Sequence, residues 1–162
     1  MVDSQTFKNV MSRWATGISV ITTHDDGVWH GFTANSFASV SIDPLLVTFS
    51  MGLSLAARPP LLKSGVLAIN VLKAEQMEWG KVFAGMIPER NANRFEMIDC
   101  TVSDLGCPLL PDTLGWLSCR VERVINVGAS DLILAEVVSG GWSDGDPLLY
   151  FHRQWGQFQP FA

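Results

Sequence analysis

The sequence predicts a mainly β fold, a closed antiparallel barrel carrying helical insertions, on three observations. About six or seven runs rich in Val, Ile, Thr, Phe and Trp are separated by clusters of Gly, Pro, Asp and Ser, the pattern of short strands and turns. About two or three stretches repeat apolar residues at three- and four-residue steps instead. The two kinds of segment do not alternate regularly, as a doubly wound parallel sheet would require. A chain of 162 residues suits one domain over 1–162, and no repeat, low-complexity tract or Gly/Ser linker divides it.

Asp3 or Ser4 can cap a first helix whose apolar stripe is Phe7, Val10, Met11 and Trp14, with Gly17 as its stop. Residues 18–23 form a β-branched strand, and the turn at 24–27 returns the chain through 28–42, a long hairpin partner. Asp43-Pro44 breaks that run, and 45–51 is so apolar that both faces are expected to be covered. Arg58-Pro59-Pro60 suits the first turn of a short helix ended by Gly65, followed by a strand over 66–72. Met77, Val82 and Phe83 share a helical face within 75–84. The polar stretch 88–99 is expected to be a mobile loop. Residues 116–127 and 131–138 read as two strands about Gly128, and 147–152 as a last short strand.

Composition narrows the function classes. The chain is 48% hydrophobic and only 17% charged, with a mean hydropathy of +0.22. That is apolar for a monomer of this size, and a buried subunit interface accounts for it. A net charge of −5 provides no basic field for nucleic acid or anionic lipid, so neither is an expected partner. No signal pattern opens the sequence and no run is long enough to span a bilayer, which predicts a cytoplasmic location. Cys100, Cys107 and Cys119 lack CxxC spacing, and His24, His30 and His152 form no HExxH motif, so no metal site is expected.

The densest set of short polar side chains is the segment GFTANSFASVS at 31–41. Thr33, Asn35, Ser36, Ser39 and Ser41 supply hydroxyl and amide groups, while Gly31 and Ala34 let a ligand approach the backbone. Such a surface suits a flat molecule rich in heteroatoms, although Ser and Thr on an exposed strand face are also ordinary.

This segment resembles the TA(N/S)SF-x-SVS stretch of the flavin reductase-like family, the small partners of two-component flavin monooxygenases. SGVLAINVL at 64–72 is similar to the family's SG-x-F-x-VNVL, and Asp43-Pro44, Gln76 and Phe83 fall where the family has like residues. LSCRV at 117–121, residues 133–137 and PLLYF at 147–151 resemble its final strands. The likeness runs in order over about residues 7–158. It implies an FMN-binding split β-barrel, a homodimer with flavin near the subunit boundary, and hydride transfer from NADH or NADPH. It also implies delivery of reduced flavin to a flavin-dependent monooxygenase. FAD in place of FMN stays open.

Carried over position by position, the resemblance implies flavin contacts from Thr33, Ala34, Asn35, Ser36, Ser39, Val40 and Ser41, with Phe83 nearby. No catalytic acid or base is implied, because the cofactor carries the chemistry. Relatives have Ser-x-Thr against the flavin phosphate where this chain has Leu55-Ala56-Ala57. Ser54 and Arg58 flank that gap, and Arg58 can supply a bidentate phosphate contact in compensation. In the tail, Trp155 is expected near the ring and Arg153 near a phosphate. Residues 86–95 lie where relatives carry a loop over the flavin. The family's Gly-Asp-His is replaced by Ala129-Ser130-Asp131, which makes Asp131 a candidate residue on the nicotinamide side, its carboxylate favouring NADH over NADPH. The same replacement leaves an alternative, a flavin-binding electron carrier or storage protein without efficient NAD(P)H oxidation.

Overall fold

The computed structural model describes residues 1–161. Helix α1 (Ser4–Met11) leads into the strand β1 (Thr16–Gly17) and then β2 (Ser19–Asp25), β3 (Val28–Ala34), β4 (Ala38–Ile42) and β5 (Leu45–Gly52). Helix α2 (Arg58–Ser64) precedes β6 (Val66–Val71), and a single 3-10 turn (Ala74–Gln76) opens α3 (Met77–Phe83). Two-residue strands β7 (Thr101–Val102) and β8 (Pro108–Leu109) lead to the long hairpin β9 (Gly115–Val127) and β10 (Ser130–Trp142). The chain ends on β11 (Leu148–Phe151) and β12 (Gln154–Gln157).

Seven strands form one sheet in the order β3-β2-β6-β9-β10-β5-β4, and every pairing in it is antiparallel. Residues from β2, β3, β5, β6, β9 and β10 meet in one buried cluster that includes Ile21, Phe32, Phe49, Leu67, Ile69, Cys119 and Ile133. A sheet whose strands share one interior has curled upon itself. The closed barrel expected from the strand count is nonetheless split, because among the described residues no ladder joins the edge strand β3 to β4 or β5. Side chains bridge the gap instead, with the Phe32 and Phe49 rings 6.1 Å apart.

Helix α2 plugs this interior. Gly65 stops it in a left-handed conformation (φ 67°), its N–H donating to the Leu61 carbonyl, and Leu61 is fully buried among the strands. The opposite face of β2 carries Ile18 and Val20 into a second cluster with Leu72, Phe83, Leu110 and Leu148. That cluster is covered by α3 and by the small sheet β1-β11-β12. Both faces of β2 are therefore dry, which is why its residues 19–23 are all buried. Asn70 lies fully buried between the layers, donating to the Val20 carbonyl and accepting the Leu110 N–H. A buried amide satisfied on both sides fixes the register of the covering segment.

Several elements depart from expectation. The Asp3 carboxylate caps α1 through the Thr6 N–H as anticipated, but the helix ends at Met11 with no buried residue. The run 28–42 is two strands, because the Ser36 hydroxyl accepts the Ser50 N–H and donates to the Ser50 carbonyl, so the chain leaves one sheet edge for the other. The segment 88–99 is packed rather than loose. Phe95 stacks edge-on against Phe83 and Trp29 at 4.9 and 5.6 Å, Ile98 is buried, and Arg94 donates to the Gly31 and Phe83 carbonyls. β10 runs on to Trp142, and β12 follows a tight turn in which His152 and Arg153 both take positive φ.

Candidate functional site

Because β3 is a sheet edge at the split, one side of it is open, and three adjoining cavities follow it. A cavity of about 600 Å³ reaches from Trp14 and Thr16 to Asn35 and Ser36. A middle one of about 220 Å³ is enclosed by Phe32, Thr33, Asn35, Leu55, Phe83, Tyr150 and Trp155. A third, about 710 Å³, is bounded by Trp29, His30, Phe32, residues 55–57 and residues 91–96. The first two share Ile18, Asn35 and Tyr150, and the last two share Phe32 and Leu55, so the three make one continuous cleft.

The middle cavity is the most tightly built. The Thr33 hydroxyl donates to the Gly80 carbonyl of α3 at 2.6 Å, which locks the strand to the helix and leaves the oxygen able to accept from a ligand. Trp155 lies so close over Gly80 that a Cβ there would come within 2.8 Å of the indole. Tyr150 meets Trp155 edge-on at 5.4 Å. The Asn35 amide forms no hydrogen bond among the described residues.

Of the residues expected to hold flavin, Thr33, Asn35, Ser36, Phe83 and Trp155 line this cleft. The Ser36 hydroxyl is already engaged at both ends with Ser50. Strand alternation sends the Ala34 side chain into the barrel interior, where it is buried beside Phe32 and Val47. Ser39, Val40 and Ser41 lie on β4, at the opposite sheet edge, and line none of the three cavities. The Ser41 hydroxyl accepts the Asp43 N–H in its own turn. Ser54 is an exposed loop residue, and Arg153 is exposed in the turn between β11 and β12, so neither borders the cleft.

Asp131 lines none of the three cavities. Its side chain is 1% exposed, one carboxylate oxygen accepting from Arg58 Nε at 2.7 Å and the other from the Asn126 amide at 3.1 Å. Alternation along β10 points it to the same side as Ile133 and Ala135, toward the barrel interior. Both of its oxygens are thus engaged within the chain. The Arg58 guanidinium, and then the Asn126 amide, hold its carboxyl below the usual carboxylate range. A group shifted in this direction stabilises the fold above its unfolded pKa near ~4, and that stability is lost as pH falls through the lower folded value.

Leu55, His30, Tyr150, Asn91 and Asn93 also line the cleft, positions the sequence had marked as a gap, a lone histidine, a final strand and a covering loop without assigning them to a wall. The small residues Ala56 and Ala57 had appeared only as a gap where phosphate ligands stand in relatives, yet they are what opens the wall of the 710 Å³ cavity. Burial raises the thiol of Cys100 to about 11 and those of Cys107 and Cys119 to about 12, so none is a thiolate nucleophile at neutral pH. Among the described residues no group of three or more His, Cys, Asp and Glu is placed to hold a metal. Apolar walls from Phe32, Leu55, Phe83 and Trp155 and polar edges at Thr33 and Asn35 fit a planar ring, while Arg58 lines none of the three cavities and follows directly on Ala56 and Ala57 of the wall.

The wider likeness is consistent with this donor set. The model of the flavin reductase like domain matches residues 11–159. The FMN reductase (NADH) SmoA of Agrobacterium fabrum is 34% identical over 156 residues, 96% of this chain and 87% of the relative. The reductase subunit HsaB of a flavin-dependent monooxygenase from Rhodococcus jostii is 32% identical over 98% of this chain and 80% of its own. The Streptomyces globisporus NADH:FAD oxidoreductase SgcE6, solved with NAD and FAD fragments, superposes with a TM-score of 0.90 at 26% identity, over 100% of this chain and 98% of that one. A match that takes in β1 to β12, and with them the whole cleft along β3, means that the chain belongs to the flavin reductase like domain family.

Proposed function

We propose that this protein is an NADH-dependent flavin reductase that takes FMN along β3 and supplies reduced flavin to a separate monooxygenase. The observation that carries this reading is the continuous cleft, with Thr33 and Asn35 as its polar edge and Phe83 and Trp155 as its apolar wall. Its relatives, among them an FMN reductase (NADH) and a monooxygenase reductase subunit, support both the reaction and the partner. NADH rests on those relatives. The Asp131 carboxylate, buried and paired with Arg58, adds no free charge to that choice.

A flavin held here would supply the hydride-accepting and electron-passing chemistry. The chain's own work is to bind and orient. The Thr33 oxygen can accept from a ring N–H, and the Asn35 amide can both donate and accept. Phe83 and Trp155 line the cavity as the walls that would orient the ring. Residues 91–96, tied down by Arg94 and Phe95, wall the 710 Å³ cavity and keep water from the approach.

Two further parts belong to the proposal. A homodimer is supported by the unburied apolar surface of α1 and β4, and the cytoplasm is the compartment in which NADH and three unpaired thiols are at home. No helix is long and apolar enough to cross a membrane. The test is an anaerobic titration of the flavin-loaded protein. Absorbance near ~450 nm, a property of the oxidised flavin, should bleach with one equivalent of NADH and return with air. A protein that binds FMN without bleaching is the storage or carrier protein instead.

A further inference from the structure

We propose that Asp131 and Asn126 are positioning residues that aim the Arg58 guanidinium at the phosphate of a bound FMN. The inference rests on the flavin reading above. Arg58 directly follows Ala56 and Ala57, which line the 710 Å³ cavity, so its side chain starts from the cleft wall. Its Nε donates to a carboxylate that is 1% exposed, while 30% of its own side chain is accessible. Neither Nη group makes a hydrogen bond among the described residues, and neither is counted among the buried unpartnered atoms. Hence the guanidinium is gripped at its inner edge and open at its outer edge, the edge that forms paired bonds to a phosphate.

The grip comes from a different part of the fold than the cation does. Asp131 opens β10, Asn126 stands opposite it on β9, and Arg58 opens α2. The Leu53 N–H bonds the Ala129 carbonyl, tying the same hairpin tip to the chain just before the cleft wall. An arginine free in solution gives up several rotors to bind an anion; one already held at Nε gives up fewer, and its charge stays in place. Both Nη groups, without a protein partner among the described residues and partly accessible, remain free to bond an anion. Nearby carboxylates do not compete for them, since Arg58 meets no other acid within ion-pair distance among the described residues.

The experiment compares FMN with riboflavin, which lacks the phosphate, by fluorescence quenching on the whole protein. Arg58→Gln should weaken FMN about tenfold to a hundredfold and leave riboflavin within about twofold. Asp131→Asn should lower the FMN-to-riboflavin preference about threefold to tenfold. In the double variant, Asp131→Asn should add nothing to Arg58→Gln, because it acts only through the arginine. If Asp131→Asn does not fold, Asn126→Ala removes the other anchor from an exposed position and reads the same coupling in smaller measure. Parallel losses for both flavins, or a preference unmoved by Asp131→Asn or Asn126→Ala, overturn the inference and make the pair a structural tie. A wild-type protein that binds both flavins equally overturns it while the reductase reading stands. One that binds neither overturns the reading and the inference together.

Discussion

Thr33 and Ala34 sit side by side in the most polar stretch of the sequence, and only one of them faces the cleft. Thr33 donates to the Gly80 carbonyl and lines the middle cavity, while Ala34 packs in the barrel. Replacing Thr33 with the isosteric Val removes the tie to α3 and the acceptor for a ring N–H. The expected result is a loss of about 1 to 2 kcal/mol in urea unfolding and a comparable loss in FMN binding, measured separately. An unchanged flavin affinity in a folded variant would remove Thr33 from the site. The residue types of the site were legible, because hydroxyls and amides cluster at 33–41. Their directions were not. Ser39 and Ser41 have the right chemistry but stand on β4, and nothing short of the break at Ser36 says that the chain changes edges there. The pairing of Asp131 was hidden for another reason: its partner Arg58 lies 73 residues away in sequence, and only the fold brings the charges together.

At the scale of elements, the contact between α3 and β12 shows how the cleft is held open. Gly80 is in the middle of α3, where Ala would ordinarily gain about 1 kcal/mol of helix propensity. Here the added Cβ would sit 2.8 Å from the Trp155 ring, and overpacking of that kind costs about 1 to 3 kcal/mol. The clash wins, so Gly80→Ala should lower stability and shift the indole into the middle cavity. Near-ultraviolet circular dichroism should report the moved Trp, and FMN affinity should fall; a more stable variant with the wild-type spectrum would refute the argument. The helix was expected over 75–84, and its buried side is Val82 and Phe83, with Met77 exposed at its start. β12 was not, because its turn uses His152 and Arg153 at positive φ where Asn-Gly would have announced a hairpin. Likewise the segment 88–99 hides its anchors: Phe95 and Ile98 follow neither a helical nor a strand period, and they are recognisable only once Trp29 and Phe83 are seen beside them.

For the whole molecule, strand count and turn spacing were enough to give a mainly β barrel, while the split came from the family resemblance, since whether edge strands pair depends on curvature and not on any residue pattern. The split has a consequence at the other edge. β4 ends the sheet with Val40 and Ile42 uncovered, Ile42 being 86% exposed, Leu45 at the start of β5 is bare beside them, and an apolar edge strand left bare invites pairing with another chain. Phe7, Val10 and Met11 are exposed on α1, which buries nothing within its own chain, and Trp14 is exposed just beyond its end. A helix of 8 residues is too short to hold its shape in water alone, so a surface outside this chain is needed to cover it. If a second copy covers both, the 600 Å³ end of the cleft, walled by Met11, Trp14 and Asn35, lies beside the subunit boundary. Light scattering at micromolar concentration should give twice the mass of the 17.8 kDa chain. Ile42→Lys together with Trp14→Ser should lower the mass to that of one chain, since a lysine on an edge strand blocks pairing and the lost indole takes much of the buried apolar area. If the cleft is completed across the boundary, the dissociated variant also loses FMN affinity although Thr33, Asn35 and Arg58 are untouched. A wild-type protein that scatters as one chain with flavin bound would refute the dimer, and the exposed apolar face of α1 and β4 would then have to be covered by the monooxygenase.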